Sequence, residues 1–290
     1  MTKQKWGTLG NSIRGPNHQI SGLPNQDSIR IYSGADCKQT IIAVADGHGS
    51  LIHFRSGIGS QIAVDTAVDI LSNKFRDLDV LEMKGCRDDI PDMICKAWNK
   101  SIILHHAHNE FSHNELTLLG DQILDKDFLE QVKLNARIAY GTTLLVVAIS
   151  ASLILYVQIG DGDILVVDES GNTRKPLPDD VQYSRYQTKS LCSENAELDF
   201  RTTIEDIDNA KPVLVAASTD GYSNSFRKSE DFLKVGNAYH DLLRIIGPHL
   251  LQKILNDLLL RTTSSGSGDD ITIAMAYRSD KIDGNGLIFP

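Results

Sequence analysis

The feature that most constrains the fold is a set of apolar runs that each border a carboxylate. Three runs share it, with an acidic residue beside each: 40–45 with Asp46, 213–218 with Asp220, and 271–277 with Asp269 and Asp270. Continuous apolar runs of this length are typical of strands that are buried on both faces. A carboxylate at the end of such a strand is costly unless a positive group meets it.

A fourth carboxylate, Asp27, directly precedes another predicted strand, 29–33. One Asp–Gly pair alone is an ordinary turn. If neighbouring strands bring several carboxylates to one edge of the core, however, they cannot all ionise without compensating cations. Oxygen ligands favour the hard divalent cations Mg²⁺ and Mn²⁺. Zinc is disfavoured because the histidines between 105 and 113 have no acidic or cysteine partner beside them.

Composition limits the class of protein and its partners. With 290 residues, 41% hydrophobic and 23% charged, the chain is expected to form one domain, 1–290. A formal net charge of −9 disfavours a nucleic-acid partner. Four scattered cysteines and a polar start predict a cytoplasmic protein with reduced thiols. No window approaches the roughly 20 apolar residues that a membrane-spanning helix needs, so no membrane partner is expected.

Apolar spacing and turn residues predict the remaining elements. Helices are expected at 51–75 with Ser50 as the N-cap, across 89–137 with a break near Gly120, and at 239–260. The segment from 144 to about 168 reads as three strands joined by turns, which predicts an antiparallel meander. The polar stretch 172–210 is long for an irregular connection and predicts a flap or functional loop.

The chain also carries six short motifs in a fixed order: NQDS, VADGHGS, YGTTLLVV, VQIGDGDILVV, AASTDGYSN and SGDDITIAM. Together they resemble the metal-dependent serine/threonine protein phosphatases of the 2C type, including bacterial single-domain members. The resemblance implies an α+β fold, a four-layer α/β/β/α sandwich of two antiparallel sheets flanked by helix pairs. It also implies hydrolysis of phosphoserine and phosphothreonine by direct attack of a metal-bound hydroxide.

The same resemblance assigns site residues. The implied metal ligands, for two Mn²⁺ or Mg²⁺ ions and a third, weaker one at Asp161, are Asp27, Asp46, the carbonyl of Gly47, Asp161, Asp220 and Asp269. Asp46 is expected to bridge the two main ions, so that a hydroxide held between them is the nucleophile. His48 matches the family's candidate general acid, which protonates the departing serine or threonine oxygen.

Two positions depart from the family pattern. Gln26 stands where many members have glutamate, so one anionic ligand becomes a neutral amide. The arginine that binds phosphate usually lies a few residues before the first acidic motif, whereas the upstream arginine here, Arg14, is separated from it by the insertion GPNHQISGLP. Arg14 is the expected phosphate ligand, with Arg55 as the alternative.

The leading functional hypothesis is a protein-serine/threonine phosphatase that acts on a phosphorylated protein, with a cognate protein kinase as a plausible partner. One alternative is a catalytically weak regulatory or binding module with the same fold. Another is a phosphatase of a small phosphorylated metabolite or a different metal hydrolase. The retained carboxylates argue against a pure scaffold, which has no physical need for them.

Overall fold

The structure is a computed structural model that describes residues 5–34, 39–74, 85–122, 126–178 and 188–282. Within them, two antiparallel five-stranded sheets pack against each other, and helices cover the outer face of each. The α+β sandwich of four layers expected from the sequence is therefore confirmed.

Each sheet combines strands from distant parts of the chain. In spatial order the first sheet consists of β1 (Trp6–Ile13), β10 (Ile271–Arg278), β9 (Pro212–Ser218), β6 (Asp163–Asp168) and β7 (Thr173–Arg174). The second consists of β2 (Ser28–Ser33), β3 (Thr40–Ala45), β4 (Leu144–Ile149), β5 (Leu153–Ile159) and β8 (Arg201–Asp206).

Strand β3 explains why the central runs are apolar throughout. Ile42 and Val44 face the other sheet and belong to the core between the two sheets. Ile41 and Ala43 point the opposite way and pack under the helices. Because side chains alternate between the faces of a strand, a strand in the middle of this sandwich buries both sets.

The helices that the structure describes follow the chain in this order: α1 (Pro16–Ser21), α2 (Ser56–Lys74), α3 (Asp89–His108), α4 (His113–Gln122), α5 (Lys126–Leu134), α6 (Ile207–Ala210), α7 (Asp220–Ser223), α8 (Ser229–Ser265) and α9 (Ser279–Ile282). Helices α2 and α3 cover the second sheet, and α8 covers the first. None of the helices in the described ranges is long and apolar enough to cross a membrane.

Three helix boundaries differ from the sequence expectation. The segment after the Asp-Gly-His-Gly motif starts as a 3₁₀ turn, Leu51–His53, and Ser50 makes no side-chain capping hydrogen bond. The second helical region has a break at 109–112, between α3 and α4, that was not predicted, whereas the break predicted near Gly120 falls beside 123–125, which lie outside the described residues. Helix α8 is longer than predicted and is interrupted at Gly247, whose φ of 76° lies in the left-handed region.

The predicted meander is wrong in its third strand. Strands β4 and β5 pair with each other, but β6 leaves that sheet and pairs with β9 in the first one. The turn at Gly160, with φ of 98°, therefore connects the two sheets rather than two neighbouring strands. A short glycine-rich turn is compatible with either pairing, so the sequence alone does not distinguish them.

The predicted flap, 172–210, includes regular structure in its described part. It contains β7, the edge strand β8 and helix α6, and the described segment 188–200 links them. Residues 179–187 lie outside the described residues. Strand β8 has no apolar run because, as an edge strand paired only with β5, it is half-buried along most of its length.

The start of α2 is tied to α3 and α4 by Arg55. Its guanidinium donates to both carboxylate oxygens of Glu115, at 2.7 and 3.0 Å, and to the carbonyls of Asn109 and Glu110. It also donates to the Tyr140 hydroxyl at 2.8 Å. The hydrogen bond from Arg55 lowers the pKa of Glu115 to about 2. All five donors of this buried side chain are therefore used.

We predict that Arg55→Ala lowers the free energy of unfolding by about 2 kcal/mol, because it leaves the half-buried Glu115 carboxylate and two carbonyl groups without their hydrogen-bond donor. Urea unfolding at pH 7 measures the change. Arg87→Ala, which breaks an exposed pair with Asp88, is the control and should change stability by less than about 1 kcal/mol. Equal effects of the two substitutions would contradict the assigned role. Because the pKa of Glu115 is lowered, the contribution of Arg55 to stability should be complete at pH values above the ordinary pKa of glutamate. It should be lost as the pH falls towards 2.

Candidate metal centre

The carboxylates predicted from the sequence converge at one end of the sandwich. Asp27 and Asp46 flank β2 and β3 of the second sheet, and Asp220 and Asp269 flank β9 and β10 of the first. The carboxyl group of Asp46 hydrogen-bonds the carboxylate of Asp220. The charge of Asp269 acts on all three other groups. The face-to-face packing of the sheets thus brings four acidic side chains together.

Asp46 is held by its backbone, so that its side chain remains available. Its N–H donates to the Thr143 hydroxyl at 3.0 Å, and its carbonyl accepts from the Thr143 N–H at 2.9 Å and the Thr142 hydroxyl at 2.8 Å. Thr142 and Thr143 are fully buried at the start of β4. The Gly-Thr-Thr motif therefore positions the central carboxylate of the site.

Gly47 is required by close packing. A Cβ at this position would lie 2.6 Å from the Gln26 carbonyl oxygen and 2.8 Å from the Ser56 backbone. These distances are shorter than Cβ contacts in folded proteins, and both neighbours are main chain. Only glycine lets the strand end turn here, beside the predicted metal ligands.

The electrostatics of the cluster favour bound cations. The pKa of Asp46 lies well above its ordinary value, first because of burial and then because of the charges of Asp27 and Asp220. Burial also raises the pKa of Asp27 and of Asp220. Carboxylates so placed cannot all ionise at neutral pH unless positive charge is added between them. Hard divalent cations supply that charge to oxygen ligands.

Asp27 and Gln26 extend the cluster below the surface. Asp27 accepts a hydrogen bond of 2.7 Å from the Thr219 hydroxyl. The Gln26 amide nitrogen donates to the Ser56 hydroxyl at 2.8 Å, whereas its oxygen Oε1 is buried and has no hydrogen-bond partner. An unpartnered buried oxygen is costly in a protein but suits a hard cation. The residues present therefore fit a divalent metal centre.

Asp269 and Asp270 are neighbours with different surroundings. The Asp269 side chain is about half exposed, at 51%. Asp270 is buried and accepts hydrogen bonds of 2.7 Å from the N–H groups of both Gly15 and Gln26. Asp270 thus joins the first acidic motif to the last strand, a role that the sequence reasoning missed because it treated the pair as one acidic site.

The structure locates Asp161 and His48 at the rim of the cluster. Asp161 is exposed, accepts a hydrogen bond of 2.9 Å from the Thr188 hydroxyl, and raises the pKa of Asp220. The His48 ring lies 4.9 Å from the His53 ring, measured between centroids. Burial, and then His53, lower the pKa of His48 to about 4. The His48 ring of the substrate-free protein is therefore neutral at pH 7.

The two candidate phosphate-binding arginines differ in availability. Arg55 uses every donor within the protein, so it cannot serve as the phosphate ligand. Arg14 donates from Nη2 to the His18 carbonyl at 2.7 Å, and its Nε is buried without a hydrogen-bond partner. Among the described residues, no acidic side chain forms an ion pair with Arg14.

The insertion between Arg14 and Asp27 contributes a residue that sequence reasoning did not assign. It forms helix α1, which docks on the loop before β10 through a 2.9 Å hydrogen bond from the Asn17 N–H to the Gly268 carbonyl. This docking brings His18 to Asp270, with Nδ1 at 2.8 Å from the carboxylate. The position of the histidine between the two motifs was the available signal, but spacing alone did not indicate the contact.

We predict that Asp46→Asn raises the melting temperature of the metal-free protein at pH 8. The raised pKa of Asp46 means that its contribution to stability is present at low pH and is lost as the pH rises through the folded-state value. The uncharged amide of asparagine does not ionise, so the variant keeps this stability at pH 8. Because the amide is a weaker metal ligand than a carboxylate, Mn²⁺ should no longer stabilise the variant as it stabilises the wild type. Scanning calorimetry after chelation measures both effects.

Asp257→Asn, at an exposed position of α8, is the control. It should change neither the melting temperature of the metal-free protein nor the increase that Mn²⁺ produces. A lower melting temperature of metal-free Asp46→Asn at pH 8, with the Mn²⁺ effect intact, would show that the cluster is not strained by repulsion.

Comparison with known proteins agrees with this arrangement. The protein phosphatase 2C family model matches residues 14–259. Similar solved structures include the catalytic domain of the serine/threonine protein phosphatase PstP in complex with two manganese ions, with a TM-score of 0.54 and 17% identity over 94% of this chain and 97% of that one.

The serine/threonine phosphatase of S. agalactiae gives a TM-score of 0.57 and 18% identity over 94% of this chain and 99% of that one. PppA of Pseudomonas aeruginosa, a key regulatory component of T6SS, gives a TM-score of 0.58 and 14% identity over 95% of this chain and 98% of that one. These identities show likeness in fold, and no curated protein sequence matches significantly. With most of its length matched by the family model, the chain belongs to the protein phosphatase 2C family.

Proposed function

We propose that the chain is a metal-dependent protein phosphatase that hydrolyses phosphoserine and phosphothreonine. The observation that carries the proposal is the convergence of Asp46 and Asp220 from different sheets, with the pKa of each raised first by burial and then by neighbouring carboxylates. Membership of the family supports the same reaction class. A cytoplasmic phosphoprotein, modified by a protein kinase, is the proposed substrate.

The acidic cluster is the proposed binding site for two Mn²⁺ or Mg²⁺ ions. Asp46, at its centre, would contact both, and Asp220 and Asp269 would complete one site. The Gly47 carbonyl and Asp27 belong to the proposed ligand set, with Asp161 at a third, weaker site. When bound, such ions supply a water of lowered pKa as nucleophile and positive charge beside the phosphoryl oxygens.

Arg14 is the proposed phosphate ligand. Its Nε is buried and unpartnered, and its Nη2 bond to the His18 carbonyl fixes the direction of the guanidinium. A phosphate monoester presents several acceptor oxygens, which a guanidinium recognises with more than one N–H. A bound phosphate would therefore satisfy the donor that the protein leaves free.

His48 is the proposed proton donor to the leaving oxygen. Burial keeps its ring neutral in the free protein, with a pKa of about 4. A phosphate dianion beside the ring would raise that pKa, since an opposite charge favours the protonated form. The ring would then gain a proton when substrate binds and give it to the departing serine or threonine oxygen.

The retained cluster also argues against a weak binding module. Clustered buried carboxylates with raised pKa values lower the stability of the fold at neutral pH. A scaffold that never bound cations would be more stable without them. No described feature favours a small phosphorylated metabolite over a phosphopeptide.

We predict that the purified protein hydrolyses a phosphothreonine peptide only when Mn²⁺ or Mg²⁺ is present, and that a chelator removes the activity. Release of inorganic phosphate from the peptide, from an aryl phosphate and from small phosphorylated metabolites measures substrate class. Preference for a metabolite would contradict the protein substrate. Full turnover in a preparation shown to be metal-free by elemental analysis would contradict the metal-dependent mechanism.

We predict that His48→Ala lowers kcat for a phosphoserine peptide by about 100-fold or more and has a much smaller effect on an aryl phosphate. An alkoxide leaving group needs a proton, whereas a nitrophenolate leaves without one. Steady-state kinetics on both substrates, with the exposed His113→Ala as control, makes the comparison. Equal losses on the two substrates would instead make His48 a positioning residue.

A further inference from the structure

We propose that His18 Nε2 is a ligand of the metal centre in this chain and compensates for the absence of a carboxylate at position 26. This inference rests on the proposed function and concerns the identity of its metal ligands. It gives a part in metal selection to helix α1, which lies in the insertion between Arg14 and Asp27.

The hydrogen bond between His18 and Asp270 leaves one ring nitrogen for a metal. A carboxylate only accepts hydrogen bonds, so Nδ1 carries the hydrogen that it donates to Asp270, at 2.8 Å. In the neutral ring, Nε2 then presents a lone pair. Metal-binding histidines commonly have this arrangement, in which a carboxylate fixes the tautomer and the ring orientation.

Nε2 lies near a second donor at a distance suited to a shared ion. Asp269 Oδ1 is 3.8 Å from Nε2, which is too long for a hydrogen bond. Two ligands on one ion, each with a bond of about 2.1 Å, are separated by about 3 to 4 Å. One ligand atom from each of His18, Asp269 and Asp270 fits within 4.8 Å of the others. Asp270 is already engaged with Gly15, Gln26 and His18, so its proposed part is to orient the ring.

An independent observation comes from Gln26, a residue that is 5% exposed. Its Oε1 has no hydrogen-bond partner, although its amide nitrogen is fixed by Ser56. A Cβ built on Gly49 would lie 3.6 Å from Gln26 Oε1 and 3.7 Å from His18 Nε2. The two candidate ligand atoms, Gln26 Oε1 and His18 Nε2, therefore border the same space, which the glycine leaves open.

The donor set has a consequence for metal choice. A carboxylate at position 26 would add a hard anionic oxygen, which suits Mg²⁺. An imidazole nitrogen and a neutral amide oxygen suit Mg²⁺ less and transition metals more, in the order Mn²⁺, Fe²⁺, Co²⁺. The chain is therefore expected to discriminate more strongly against Mg²⁺ than a site in which glutamate replaces Gln26.

The test is metal binding rather than catalysis. Calorimetric titration of the metal-free protein with Co²⁺, Mn²⁺ and Mg²⁺ should show that His18→Gln weakens Co²⁺ and Mn²⁺ binding about tenfold or more and Mg²⁺ binding much less. Gln26→Glu should raise Mg²⁺ affinity and reduce the effect of His18→Gln in the double variant. His113→Gln, an exposed histidine, is the matched control and should bind all three ions as the wild type does.

Pulsed EPR of the Mn²⁺-loaded protein gives a second readout. Nitrogen modulation from a coordinated imidazole should be present in the wild type and in His113→Gln, and absent in His18→Gln. Gly49→Ala places a methyl group in the space beside His18 Nε2 and Gln26 Oε1, and position 49 takes no part in the His18–Asp270 hydrogen bond. This variant should therefore weaken Co²⁺ binding even if His18→Gln folds poorly.

The outcomes separate this inference from the proposed function. Unchanged Co²⁺ affinity in Gly49→Ala, or nitrogen modulation that persists in folded His18→Gln, would overturn the role of His18 while leaving the metal centre intact. Absence of measurable Mn²⁺ and Mg²⁺ binding by the wild type would overturn the metal-dependent function itself.

Discussion

The site depends on one constraint: several carboxylates at one end of the sandwich are held too close together to ionise at the same time. Asp46 and Asp220 come from different sheets, yet their carboxyl groups are in hydrogen-bond contact. Groups this close share a proton when no metal is bound, which lowers stability as the pH rises, and added positive charge would relieve this cost. The surrounding framework, in which two buried threonines hold the Asp46 backbone, keeps the groups from moving apart.

The sequence predicts this arrangement where the chemistry is local. The apolar run before Asp46 and the run before Asp220 identify two central strands and the acidic group at the end of each. Sheet partnership is a non-local property, however. The turn at Gly160 therefore suggested a meander, although β6 pairs with β9 in the other sheet. Polar edge strand β8 was missed for a related reason, since half-buried side chains produce no apolar run.

The functional residues divide in the same way. Motif spacing identified Asp27, Asp46, Asp220 and Asp269, whose proximity the fold explains, but their roles as ligands remain predictions. Spacing left Arg14 and Arg55 open, and only their hydrogen-bond partners distinguish them: Arg55 has no free donor, whereas Arg14 has a buried one. His18 was not assigned because its contact with Asp270 joins residues from opposite ends of the chain.

The proposed centre holds two cations around Asp46. It can be tested by continuous-wave EPR of the chelator-treated protein, titrated with Mn²⁺ and combined with metal analysis. A two-ion centre should bind about two Mn²⁺ per chain and give the spectrum of an exchange-coupled pair, since one carboxylate that bridged two ions would hold them a few ångströms apart. Binding of one isolated Mn²⁺, or of two ions without magnetic coupling, would rule out such a centre.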